Sequence, residues 1–191
     1  MLNKIRSLLC AVFLYPMQFK YFGKNSRIVA PLRLNGKKNI EIGNNTYIAY
    51  KTWLASVGLT GEKVPILKIG NHCAIGNFNH IFATKSIIIE DYVLTADKVF
   101  IADSLHGYKN PLIPIIQQPI QQTSTVVIGE GSWLGENVCV IGAKIGKHCV
   151  IGANAVVTKD IPDYSVAVGT PAKIIKQYDF KTEQWKSLDG E

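Results

Sequence analysis

Charge is sparse in this 191-residue chain: Asp, Glu, Lys and Arg together make up 18% of it. Cysteine is sparse too. Cys10, Cys73, Cys139 and Cys149 show no CxxC spacing, and they offer no disulfide framework. They read as buried thiols of a reducing compartment, which places the protein in the cytoplasm. No apolar run is long enough to span a bilayer; the one from Leu8 to Phe13 is far too short. The opening "MLNKIRSLLCAVFLYPMQFKYFG" loosely resembles a signal peptide but lacks the small-residue cleavage pattern. It reads either as a helix packed on the rest of the domain or as a basic amphipathic segment lying at the inner face of a membrane. The net charge of +7 comes without a basic run or an aromatic–basic alternation, so nucleic acid is not indicated. An anionic small ligand or an anionic membrane surface fits that balance as well.

What the chain does have is apolar residues (47%), among them 39 Ile and Val. That excludes disorder and favours strands over helices. The length suits one domain.

These residues keep time in sixes. Ile69, Ile75, Ile81, Ile87, Val93 and Val99 follow one another at a constant step, and Ile128, Leu134 and Val140 resume it. After a one-residue slip come Ile145, Ile151 and Val157; Ile42 and Ile48 form an earlier pair. Glycine follows at Gly70, Gly76, Gly129, Gly135, Gly146 and Gly152. A period of six is neither a helix face nor a plain strand. It fits an all-β solenoid in which each hexad is one short face and a sharp turn, with three faces to a coil. Inward β-branched residues fill the prism, and residues eighteen apart are expected to stack: Ile69 with Ile87, Ile75 with Val93, Ile81 with Val99. His72 and His148 share one hexad position after glycine and read as corner residues.

The rhythm breaks at "IADSLHGYKNPLIPIIQQPI", residues 101–120, where Pro111, Pro114 and Pro119 forbid regular strand pairing. A loop over about 105–125 must protrude there, and loops of that length are commonly functional. His106 stands at its root.

The segments "IGEGSWLGENV", "IGKHCVIGANAVVTKDIP" and "SVAVGTPAKIIK" resemble the hexapeptide-repeat acyltransferases, in particular the galactoside, maltose and polysaccharide O-acetyltransferases. The likeness runs from about residue 40 to 177. One departure is "CVIGAKIG", a residue shorter than the usual pattern, which implies an altered corner at Gly142. Another is Ser104 in "DSLH", where many polysaccharide-type relatives carry a first histidine.

The resemblance implies a left-handed parallel β-helix over residues 26–170, an N-terminal helical segment over 1–25 and a short C-terminal helix within 171–191 that caps the open edge. It implies a homotrimer, with acetyl-CoA as co-substrate and no metal. His106 matches the family's catalytic histidine without a gap. Asn77 in "GNFNH" matches an active-site asparagine, and His80 lies close enough in sequence to approach the acceptor. Trp133 matches a tryptophan at the subunit seam or beside the thioester. Gly135, Ala153, Thr158, Lys159, Lys173 and Lys176 match the coenzyme groove. The implied reaction is acetyl transfer to a saccharide hydroxyl in surface polysaccharide or glycan assembly. N-acetylation of an amino-sugar nucleotide and a silent β-helix scaffold are the competing readings. A zinc-dependent β-helical carbonic anhydrase would need a close histidine pair after the insertion point, where His106 stands alone.

Overall fold

A computed structural model describes Ile5 and residues 14–188. Strands of two to four residues succeed one another around three faces, and every third strand returns to the same face. Face 1 stacks Tyr21–Phe22, Ile40–Ile42, Ile66–Ile69, Ser86–Ile89, Val126–Ile128 and Lys144–Ile145. Face 2 stacks Arg27–Ile28, Tyr47–Ile48, Ala74–Ile75, Leu94–Thr95, Trp133–Leu134, Val150–Ile151 and Ser165–Val168. Face 3 stacks Arg33–Asn35, Trp53–Ser56, His80–Ala83, Phe100–Ala102, Cys139–Ile141 and Val156–Val157. All neighbours within these stacks are parallel. This is a parallel β-helix that coils in threes. Its corners are named here for the faces they join: corner 1 leads from face 1 to face 2, corner 2 from face 2 to face 3, and corner 3 from face 3 into the next coil.

The stacking register differs from the eighteen-residue step expected. Ile69 lies beside Ile89, Ile75 beside Thr95 and Ile81 beside Ile101, twenty residues apart in each case. Ile87 lies beside Leu67. The reason is that each face turns two residues inward, two positions apart. Ile87 and Ile89, Val93 and Thr95, Val99 and Ile101 are all buried. Ile, Val and Leu fill either position, so a six-residue period survives a two-residue slip between them. The slip falls at the turn 84–85, between the strand His80–Ala83 and the strand Ser86–Ile89. Downstream coils tighten: Ile128 lies beside Ile145, and Ile145 beside Ile161.

Corner chemistry follows from the close stacking. His72 and His148 both take a left-handed φ at corner 1 and stack on Tyr92 and Tyr164 respectively. Gly142 has φ +57°, and a Cβ there would lie 2.6 Å from the Thr123 Cβ. Only glycine suits that shortened corner. Cys73 and Cys149 are buried in the first of the two inward positions of face 2, and burial pushes the Cys73 thiol up to about 11. Cys139 differs: it projects outward on face 3 and is half-buried.

Both ends depart from expectation. The coil begins at Tyr21, and the helix before it is one turn, Tyr15–Gln18, whose Tyr15 and Phe19 plug the open end of the core against Phe22. The rest of the expected N-terminal helix falls on residues outside those described. Among the described residues the expected C-terminal helix is absent. Lys173–Asp179 is a strand, antiparallel to Ser165–Val168, and Gln184–Ser187 pairs with it in turn. The last coil leaves a row of unpaired backbone groups, and β-branched Ile174 and Ile175 suit a strand laid against that edge. The edge is capped as expected, by strands.

Candidate active site

The arm containing His106 leaves the prism at corner 3, directly after the strand Phe100–Ala102 of face 3. Asp103 roots it. This carboxylate is fully buried and accepts four hydrogen bonds from the corner below: from Thr84 N (2.7 Å), Thr84 Oγ1 (2.8 Å), Lys85 N (2.7 Å) and Ser86 N (2.7 Å). Four donors replace the water that a buried carboxylate would otherwise lack. Ser104–Leu105 then pairs antiparallel with Gln121–Gln122 on the returning limb. Gln122 donates through Nε2 to the Asp103 carbonyl and accepts from Thr60 and Thr84 hydroxyls.

His106 follows this short ladder immediately and is exposed. Gly107, next to it, is buried; an added Cβ would sit 3.1 Å from Gln118 Cβ and closer still to the Pro119 carbonyl. The two limbs therefore close on each other just past the imidazole, which presents His106 at the root of the arm and not at its tip. The tip, around the 3-10 turn Ile115–Gln117, bears the nearly fully exposed Leu112 and Ile116.

Face 3, which ends at this corner, carries an outward aromatic column. The His80 ring stacks flat on Trp53 with centroids 4.1 Å apart and meets Phe100 and Phe82 edge-on. Its Nε2 is buried without a hydrogen-bond partner, and burial lowers the imidazole pKa below 6.5. Asn77 is committed elsewhere. At corner 2 its Nδ2 donates to the Asp97 carboxylate and its Oδ1 accepts from Tyr50 N. Asn71 makes the same pair with Asp91 one face earlier, so this is a repeated corner device.

The residues matched to the coenzyme groove gather at the last coils, around face 3. Gly135 lies under Ala153: a Cβ there would be 2.8 Å from the Ala153 amide nitrogen. Lys173 follows Ala172, whose N–H donates to the Val156 carbonyl on face 3. Thr158 and Lys159 leave the same Val156–Val157 strand at corner 3, two coils beyond the arm root. Lys176 runs on along face 2, paired with Val166. Ala153, Thr158, Lys159, Lys173 and Lys176 are all exposed. Trp133 stands apart, half-exposed on face 2 between Leu94 and Val150. Within one chain, then, His106, His80, Thr158 and Lys159 share face 3 or its trailing corner, and Trp133 does not.

Comparison with known proteins fits this geometry. Residues 125–159 match the family described as the hexapeptide repeat of succinyl-transferase. The chain is 34% identical over 178 residues to an Escherichia coli (strain K12) protein named as the lipopolysaccharide biosynthesis O-acetyl transferase WbbJ, covering 87% of each. The chain belongs to the hexapeptide-repeat acyltransferases. A galactoside O-acetyltransferase of Lactococcus lactis is 33% identical over 178 residues, 90% of this chain and 71% of that protein. Among solved structures, the Bacillus cereus N-acyltransferase AntD, crystallised with dTDP and coenzyme A, superposes with a TM-score of 0.73 at 20% identity, over 88% of this chain and 89% of that one. The coil of this acyltransferase is the family's left-handed β-helix.

Reading the sequence missed Asp103, Thr84 and Gln122. A signal was there: an acidic residue in a buried phase, just before a proline-rich excursion, needs donors from somewhere.

Proposed function

We propose that this acyltransferase moves an acetyl group from acetyl-CoA to a hydroxyl of a saccharide, in surface polysaccharide or glycan assembly, with His106 as general base. The names of WbbJ and the galactoside enzyme support the reaction class, and coenzyme A in AntD supports the donor. The observation that carries the assignment to this residue is the exposed imidazole held at the arm root by a buried, four-fold bonded Asp103.

The thioester is already activated; the obstacle is the weak nucleophilicity of a sugar hydroxyl. His106 takes the hydroxyl proton as attack on the carbonyl proceeds, a contribution of about 10²–10⁴-fold. The imidazolium then returns that proton to the departing thiolate. Backbone N–H groups at the coil edge serve the developing oxyanion. Gly135 under Ala153 leaves the bare backbone that a pantetheine arm can approach. Thr158 and Lys159 at corner 3, with Lys173 and Lys176 beyond, supply donors and positive charge for the phosphates.

We infer the family's homotrimer as the working form, with face 3 at a subunit seam. The half-buried column Trp53, His80, Phe82 and Phe100 and the orphan His80 Nε2 support this reading. Trp133, on face 2, then joins the thioester wall from a neighbouring subunit. Asn77, whose amide bonds the Asp97 carboxylate and Tyr50 N, would serve the acceptor from a fixed corner.

The test is acetyl-CoA turnover across sugars, sugar nucleotides, amino-sugar nucleotides and lipid-linked glycans. His106→Ala is expected to lower turnover at least about a hundredfold while coenzyme binding and assembly persist. An unchanged rate with a verified acceptor removes His106 from the mechanism.

A further inference from the structure

The net positive charge of this chain lies toward one end. Residues 1–53 contain nine Lys and Arg against the single acidic Glu41, a net +8; residues 54–191 contain twelve against thirteen, a net −1. The coil rises steadily from its first strand to its last, so the gradient over the described residues, a net +6 across 14–53 against +1 across 54–188, becomes a gradient along the prism. Lys20, Lys24, Arg27, Arg33, Lys37 and Lys38 ring the first coil on all three faces and their corners. Arg27 lies over the Tyr47 ring and Arg33 over the Trp53 ring, and Lys20 pairs with Glu41 at 2.8 Å.

Within this collar the end of the prism is apolar. The one-turn helix buries Tyr15 and turns its other side outward, leaving Met17 86% and Leu14 49% exposed; Leu32 on the first coil is 55% exposed. These side chains are not needed for the plug, which Tyr15, Phe19 and Phe22 complete.

We propose that the N-terminal pole is a docking surface for an anionic lipid bilayer: Met17, Leu14 and Leu32 enter the interface and the basic collar meets the headgroups. A bilayer is the occupant that wants both features at once, an apolar centre and a cationic rim whose long side chains reach back to the headgroup layer. Nucleic acid would engage the collar and leave Met17 in water. The arm tip, another exposed apolar cluster, has Lys109 as the only Lys or Arg among residues 103–125 and lacks the rim. The surface is separate from the proposed acetyl-transfer site, so the two stand or fall independently.

The test is flotation of the full-length protein with vesicles of phosphatidylcholine alone, and with about a quarter phosphatidylglycerol added. Recruitment is expected to the anionic vesicles only, and to fade between about 0.1 and 0.5 M salt. Lys24→Glu combined with Lys38→Glu is expected to weaken it at least about tenfold, and Met17→Ser to weaken it further. The arm pair Leu112→Ser with Ile116→Ser, and the distal pair Lys63→Glu with Lys181→Glu, should leave it unchanged. Circular dichroism spectra matching those of the parent keep the pole variants interpretable. Failure to float with anionic vesicles, flotation indifferent to the pole substitutions, or tighter binding to duplex DNA than to the vesicles would each overturn the proposal.

Discussion

At the scale of single residues, Asp103 serves the proposed site by holding the root from which the exposed His106 projects. It is a carboxylate at 0% exposure, with no ion pair among the described residues, held by three backbone N–H groups and one hydroxyl. Replacement by alanine leaves those donors buried and unpaired, at about 1–3 kcal/mol for each one that finds no water. Asp103→Ala is therefore expected to lower the denaturant midpoint and, in the protein that remains folded, to reduce kcat at least about tenfold, with KM for acetyl-CoA little changed. Asp103→Asn keeps one acceptor oxygen and should recover part of kcat. If both variants kept full turnover, the anchor would have no hold on His106. His106 was legible because a histidine beside a broken repeat is conspicuous. Asp103 was not, because its meaning lies in donors about eighteen residues upstream that only the true register brings beneath it. The corner bonds of Asn77 were hidden for the same reason: the Asp97 and Tyr50 groups that hold its amide come from neighbouring coils.

Among the elements, the hexad announced the solenoid and its three faces, and the prolines announced the arm. The stack between neighbouring coils was not legible, since a period of six cannot tell which of two inward positions an isoleucine fills. Thr95 decides between the registers. With an eighteen-residue step it would face outward and be replaceable at will. In the observed stack it lies inside beside Ile75, accepting from Asn79 Nδ2 at 2.7 Å and from Gly76 N at 3.1 Å. Thr95→Val keeps the shape and removes the acceptor, so a loss of about 1–3 kcal/mol is expected in urea unfolding; a neutral result would favour the shorter step. The C-terminal segment was misread because its pattern suits an amphipathic helix or a strand. The free edge of the last coil decides the matter, and that edge exists only after the coil has formed.

The molecule as a whole must account for an aromatic column that faces outward. Trp53, His80 and Phe100 form one side of the prism where charged side chains would be ordinary. If face 3 is the trimer seam, Phe100→Glu places an unpaired charge in it and should shift light-scattering mass from trimer to monomer. The same column predicts a dependence on acid. Burial depresses the His80 pKa in the folded protein below the ordinary 6.5, so the neutral ring is the one that fits. Above about 6.5 folded and unfolded chains both hold it neutral and His80 contributes no slope. As pH falls through 6.5 the unfolded chain takes up the proton first, and stability declines until the folded value is reached, below which the contribution levels off. Melting temperatures across that window should fall for the parent protein, and fall less for His80→Phe, which keeps the stack on Trp53 and has no proton to gain. Parallel curves for the two proteins would show that His80 titrates freely and that the column is open to water; loss of the slope in His80→Phe would show that the folded protein holds the ring neutral, whichever face meets a neighbouring subunit.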